Sequence, residues 1–210
     1  MKKVYLLLLV VIGFNGIANA QNDPNAKKVL DEVSAKLKTL KGVTANFSYT
    51  TKDRNKALKG SAKGIINIKG QKYYLKQGAT EIFCDGSKVW NYNGEDEVTV
   101  ADVDNEDTKM LTPQKLLSNF YDEDFTYKLV SSAGASHEIV MYPTDKRKNF
   151  KQVTVYVDKT KKMILSAKVI DKSDNIIEFS LTNVNTTATL ADSKFVFDAA
   201  KHPGVEVVTQ

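Results

Sequence analysis

The sequence predicts a mainly β fold with helices, a long antiparallel meander onto which two helices pack. Three observations predict it. Apolar residues alternate with period two over many short runs. Tight-turn signals such as Asp85-Gly86 and Asn93-Gly94 separate those runs. Two segments instead carry helix signatures, each opening with Pro at its first position.

Residues 1–20 stand apart from that pattern. Lys2-Lys3 is followed by an apolar run from Val4 and the small-residue ending Ala18-Asn19-Ala20. This reads as a secretory signal removed after Ala20. A transmembrane anchor is the other reading, but the run is shorter than the ~20 apolar residues a bilayer requires. Residue 21 is Gln, so no lipidation Cys follows. Residues 21–210 then form a single domain. The 210-residue chain has 30 basic and 25 acidic residues, and removing Lys2 and Lys3 lowers its formal charge from +5 to +3. No basic cluster interleaved with aromatics appears, so nucleic-acid binding is not expected. Lys146-Arg147-Lys148 reads as a solvated loop. The single Cys, Cys84, lies in a strand and reads as a buried, inert thiol.

Asp23 is a good N-cap and Pro24 a good first residue for a helix that Gly42 closes. Ala26, Val29, Leu30, Val33, Leu37 and Leu40 form its apolar stripe. Six strands follow between Val43 and Ala101. Val43, Ala45, Phe47 and Tyr49 share one face of the first, and Ile66 and Ile68 one face of the second. Tyr73, Tyr74 and Leu75 lie in the third. The stretch Glu81 to Asn93 is a hairpin containing Trp90, the only Trp, with Tyr92 on the same face. Val98 and Val100 share a face of the sixth strand.

Asp102, Asp104, Glu106 and Asp107 form an acidic loop. It lacks the Gly and Glu positions of an EF-hand, so no metal is expected. The second helix spans Pro113–Tyr121, with Leu116, Leu117 and Phe120 apolar and Met110 just ahead. Five strands follow, over Phe125 to Val130, His137 to Tyr142, Gln152 to Val157, Met163 to Ile170 and Ile176 to Val184. Asp192 to Phe197, then His202-Pro203-Gly204 and Val205 to Val208, read as a tail with one or two edge strands. His137 and His202 have no partner at metal-ligand spacing. Asp122, Glu123 and Asp124 read as a solvated helix end. No nucleophile, zinc or phosphate-loop motif occurs, which points away from an enzyme and away from any cofactor.

The order of these elements resembles the outer-membrane lipoprotein carrier family, the LolA-like periplasmic chaperones. The resemblance is carried by the helix ending L-K-T-L-K, the F-S-Y strand, D-G-S-K-V-W-N-Y-N, T-P-Q-K-L-L and the ending P-G-V-E-V-V. It covers residues 25 to 208. It implies an incomplete, unclosed antiparallel β-barrel of about 11 strands covered by a helical lid. It also implies an apolar cavity for the acyl chains of lipoproteins, an inner-membrane lipoprotein-releasing transporter, an outer-membrane acceptor and a monomer in the periplasm. A periplasmic carrier or sensor of free lipid or glycolipid on the same fold is the alternative.

On that reading Phe47, Ile66, Ile68, Tyr74, Trp90, Tyr92, Val98 and Val100 line the cavity. Val29, Val33, Leu37, Leu40, Met110, Leu116, Leu117 and Phe120 form the lid. Three departures from the family pattern stand out. Gly70 occupies the position of an Arg that latches the lid, and Lys76 replaces one aromatic of a pair that keeps Tyr74. Gln114 and Lys115 replace apolar lid residues.

Overall fold

A computed structural model describes residues 22–103 and 121–209. Met110, Leu116, Leu117, Phe120 and most of the acidic loop lie outside these residues, as do residues 1–21.

Helix α1 spans Pro24–Thr39, three residues short of Gly42. The Asp23 carboxylate accepts from Asn25 N–H at its start, and Leu40 leaves the helix in an extended conformation. The strands are β1 (Val43–Lys52), β2 (Leu58–Lys69), β3 (Lys72–Gln77), β4 (Thr80–Cys84), β5 (Lys88–Tyr92) and β6 (Glu97–Asp102). The helical residues Tyr121–Asp124 (α2) lead to β7 (Phe125–Ser131), β8 (Ser136–Pro143), β9 (Phe150–Asp158), β10 (Met163–Asp171) and β11 (Ile176–Asn185). A short strand β12 (Glu206–Thr209) ends the fold.

The twelve strands among the described residues form one open sheet in the order β12-β6-β5-β4-β3-β2-β1-β11-β10-β9-β8-β7. The eleven strands expected from alternation are all present. The sheet is open, as expected, and antiparallel except at one seam. There β12 runs parallel to β6, with Glu206 opposite Glu97. The cause is the tail, which leaves the far end of β11 and must cross the sheet before pairing, as a parallel connection requires. Of the one or two tail strands expected, β12 is present, and Asp192–Phe195 is a 3₁₀ turn within that crossing.

The hairpin turns are held by side chains. Asp53, Asp85, Asn93, Asp158 and Asp171 each accept the backbone N–H two residues on. The Asp85 turn spans three residues, Asp85 to Ser87, with Gly86 at φ 97°.

The β7 edge is sealed by the two residues just ahead of α1, Asn22 and Asp23. Asp23 N–H donates to Tyr127 O (3.2 Å), while the Asn22 amide bonds Phe125 O and Tyr127 N–H. The Asp23 carboxylate accepts from Leu129 N–H at 3.0 Å. These bonds occupy ladder groups that an edge strand otherwise offers to other chains.

Candidate functional site

Cross-strand register divides the sheet into two faces, because directly opposed residues project the same way. On one face Ile66 pairs Ala45 and Leu75, and Phe47 pairs Leu181. Ile68 opposes Val43 and Tyr73, and Tyr73 opposes Cys84. This face carries α1. Ala26, Leu30 and Val33 are buried against Tyr127, Ile139, Met141, Val153, Val155 and Ala167, with Val29 and Leu37 half-buried beside them. Further along, Ala45, Phe47 and Ile66 form a second apolar cluster with Tyr49, Ile68, Leu75, Phe179 and Leu181 half-buried around it. The Phe47 and Phe179 rings stack at 6.3 Å. Gly64 makes this possible. A Cβ there would meet Lys76 O at 2.0 Å and the Phe47 ring at 2.5 Å.

The opposite face carries the tail. Tyr74 opposes Phe83, Phe83 opposes Trp90, and Trp90 opposes Val100, while Tyr92 opposes Val98. Phe195 (0% exposed) and Phe197 pack on Tyr74, Phe83 and Val98, with Trp90, Tyr92, Leu190 and Val205 at the margin. Phe197 meets Phe83 edge-on at 5.8 Å, and the His202 ring lies 4.7 Å from both Phe197 and Tyr92.

A polar collar surrounds this layer. Tyr74 donates to Glu81 at 2.8 Å and Lys76 does so at 2.5 Å. Burial pushes the Glu81 carboxyl up, but the bonds from Lys76 and Tyr74 outweigh it and hold its pKa below the ordinary value. Burial, helped by the Glu81 charge, pushes the Tyr74 hydroxyl up. Lys194 sits 3.6 Å above the Tyr74 ring, and burial pulls its pKa down. Asp192 is held by Lys69 (2.7 Å) and Lys72 (3.3 Å).

The residues expected to line one cavity therefore divide between two faces. Phe47, Ile66 and Ile68 lie on the α1 face. Tyr74, Trp90, Tyr92, Val98 and Val100 lie on the tail face, which the chain itself fills. Trp90 and Tyr92 do share a face, as their spacing predicts, but they look toward the tail and away from α1. Sequence reasoning missed the tail layer. Its signal was Leu190, Phe195, Phe197 and Val205 within one irregular stretch. It also missed the edge-sealing role of Asn22 and Asp23.

His137 Nδ1 lies 2.8 Å from Ser132 Oγ at the surface, remote in sequence and partners from His202. Among the described residues no three His, Cys, Asp or Glu side chains are grouped to hold a metal, and no helix is long and apolar enough to cross a membrane. Cys84 is buried between Tyr73 and Val89.

This architecture has known counterparts. An uncharacterized conserved protein from Thermus thermophilus shares the fold with a TM-score of 0.60 at 10% identity, over 89% of this chain and 99% of that one. The outer-membrane lipoprotein carrier protein of Shewanella halifaxensis is 28% identical over 172 residues, 80% of each chain. That of Legionella pneumophila strain Corby is 22% identical over the full length of both chains. The family model for the outer membrane lipoprotein carrier protein LolA matches residues 38–198, well over half of the chain. By that match the chain belongs to the LolA family.

Proposed function

We propose that this protein carries lipoproteins through the periplasm by their acyl chains. It takes them from an inner-membrane releasing transporter and hands them to an outer-membrane acceptor, with no catalytic step. The observation that carries the reading is the apolar α1 face of β1, β2, β3 and β11. There half-buried Tyr49, Ile68, Leu75, Phe179 and Leu181 surround Phe47 and Ile66. Membership of the LolA family supports lipoprotein as the cargo class. The tail face, already packed, is assigned no cargo.

Energetics limit how the cargo is held. Acyl burial contributes about 0.8 kcal/mol per methylene, so ~40 methylenes from three chains would give about 30 kcal/mol. Non-covalent affinity saturates near −20 kcal/mol, and a shuttle must release what it binds. Burial is therefore partial.

The test is mass spectrometry of the protein isolated from its native envelope, paired with lipoprotein release from membranes in a reconstituted assay. Acylated lipoprotein should co-purify. Leu75→Glu should abolish release while leaving the circular dichroism spectrum unchanged. Recovery of free phospholipid or glycolipid alone would replace this reading with that of a lipid carrier.

A further inference from the structure

Three hairpin tips stand side by side at one rim of the sheet. They join β1 to β2, β10 to β11, and β8 to β9. Their adjacency follows from pairing, since Lys52 opposes both Leu58 and Ile176, and Asp171 opposes Phe150. Lys172 ties two of them together, donating from its backbone to Asn149 O (3.1 Å) and from Nζ to Lys146 O (2.8 Å). Six adjacent strands at about 4.8 Å spacing make this rim roughly 24 Å wide.

The charge of the chain is concentrated here. Residues 52–59 carry Lys52, Arg54, Lys56 and Lys59 against Asp53. Residues 144–151 carry Lys146, Arg147, Lys148 and Lys151 against Asp145. Residues 171–178 carry Lys172 against Asp171, Asp174 and Glu178. The net charges are +3, +3 and −2, or +4 together, compared with +3 for the whole of residues 21–210. The remainder of that stretch is therefore slightly acidic.

The acids at the tips are already engaged. Asp53 holds its turn and Lys59, Asp145 is gripped by Arg147, and Asp171 caps its own turn. Glu178 pairs Lys52, and Asp174 pairs Lys151. Among the described residues Arg54, Lys56, Lys146 and Lys172 make no ion pair, and all four are exposed. Set among these cations are two exposed residues with apolar bodies, Leu58 (62% exposed) and, at the end of β8, Tyr142 (47%). On the same rim the β5–β6 turn is acidic, with Glu95, Asp96 and Glu97.

We propose that this rim is a docking surface for an anionic phospholipid bilayer. The unpaired cations meet phosphate headgroups, while Leu58 and Tyr142 enter the headgroup layer, where an apolar body with a polar neighbour is favoured. The acidic β5–β6 turn is repelled, which sets the orientation of the sheet on the membrane. An acidic protein surface would use the cations but would leave Leu58 in water, and this favours lipid as the partner. The docking holds whatever the carrier carries.

Vesicle flotation tests it with the chain from Gln21 onward, which contains every described residue. Wild type should bind phosphatidylcholine vesicles containing roughly 30 mol % phosphatidylglycerol and not pure phosphatidylcholine. Binding should fall as salt rises from ~0.05 to ~0.5 M. Each cation near such a surface is worth about fivefold in partitioning, so R54Q/K56Q/K146Q/K172Q should lose several hundredfold. Leu58→Gln should weaken binding without changing the salt slope. A control, K36Q/K38Q/K41Q/K161Q, removes as many charges elsewhere and should lose less than about tenfold. Equal losses in the two quadruple variants would overturn the assignment to this rim. Failure of wild type to bind the anionic vesicles would overturn lipid as the partner and leave an acidic protein surface.

Discussion

Phe195→Ala is the sharpest probe of the tail layer. Phe195 is fully buried, on the face opposite α1, against Tyr74, Phe83 and Val98. Removing a buried Phe side chain costs about 3–5 kcal/mol, as lost transfer energy plus the cavity left behind. With a urea slope of about 2 kcal/mol/M, a loss of about 4 kcal/mol moves the unfolding midpoint down by about 2 M. Trp90, the only Trp, borders the same cluster, so its fluorescence reports the tail directly. Far-UV circular dichroism reports the whole sheet. If the tail is an integral layer, both signals shift together by that amount. If the tail undocks more cheaply than the sheet unfolds, the Trp90 transition moves first and the dichroism midpoint falls less. Leu30→Ala, buried on the α1 face, should cost about 2–5 kcal/mol without any early Trp90 change. The two losses should add, because the sites share no partners. A Phe195→Ala midpoint shift below about 0.5 M, with Trp90 unaffected, would refute the tail as a structural layer.

Two further predictions concern the elements that fix the sheet. Gly64→Ala should destabilise by at least about 1–3 kcal/mol, since its Cβ would meet the Lys76 carbonyl, which is backbone and cannot step aside. Thermal melting measures this, and an unchanged midpoint would show that β2 and β3 can separate locally. Asp23→Ala should lower the melting midpoint at neutral pH by freeing the start of α1 and Leu129 N–H together. Hydrogen bonds from Leu129 and Asn25 hold the Asp23 carboxyl below its ordinary value of 3.8. A depressed carboxylate stabilises the fold above that ordinary value and ceases to do so as pH falls through the folded one. The gap between wild type and Asp23→Ala should therefore be full at pH 7 and narrow below about pH 4. A gap that stays constant into acid would show that the carboxylate charge contributes nothing.

The strands were legible because period two survives wherever one face is polar. In β1, Val43, Ala45, Phe47 and Tyr49 alternate with Thr44, Asn46, Ser48 and Thr50, and they point to the α1 face as a set. The assignment of faces in β3 to β5 was not legible. There Tyr73 and Tyr74, Phe83 and Cys84, and Val89 and Trp90 are apolar neighbours, because both faces are covered. Alternation groups such residues correctly but cannot say which group meets which layer. The Phe195-Val196-Phe197 stretch reads as a strand for a related reason. Its alternation is real, yet it answers to side chains beneath it rather than to a hydrogen-bonded neighbour. The N-cap role of Asp23 is local and was read. Its second role depends on β7 being an edge strand, which only the strand order reveals.

The two covered faces also limit what can move. The sequence reads the stripe of α1 as part of a lid, and α1 does cover the sheet, fastened along its length. Its start is bonded to β7 through Asn22 and Asp23. Asp31 accepts from the Tyr121 hydroxyl at 2.8 Å, and Glu32 pairs Lys162 at 3.1 Å. Its end passes into β1 within three residues, Leu40 to Gly42. Lifting it would return Leu30 and Val33 to water along with half-buried Val29 and Leu37. At about 1.5–3 kcal/mol for each fully buried side chain and less for the half-buried pair, that costs roughly 5–10 kcal/mol. Such a cost approaches the whole stability of an ordinary domain, about 5–15 kcal/mol. A carrier that opened α1 at every cycle would come close to unfolding at every cycle. α1 thus covers its end of this face as an element that is costly to lift, while the neighbouring cluster of Phe47, Leu75, Phe179 and Leu181 stays only partly covered.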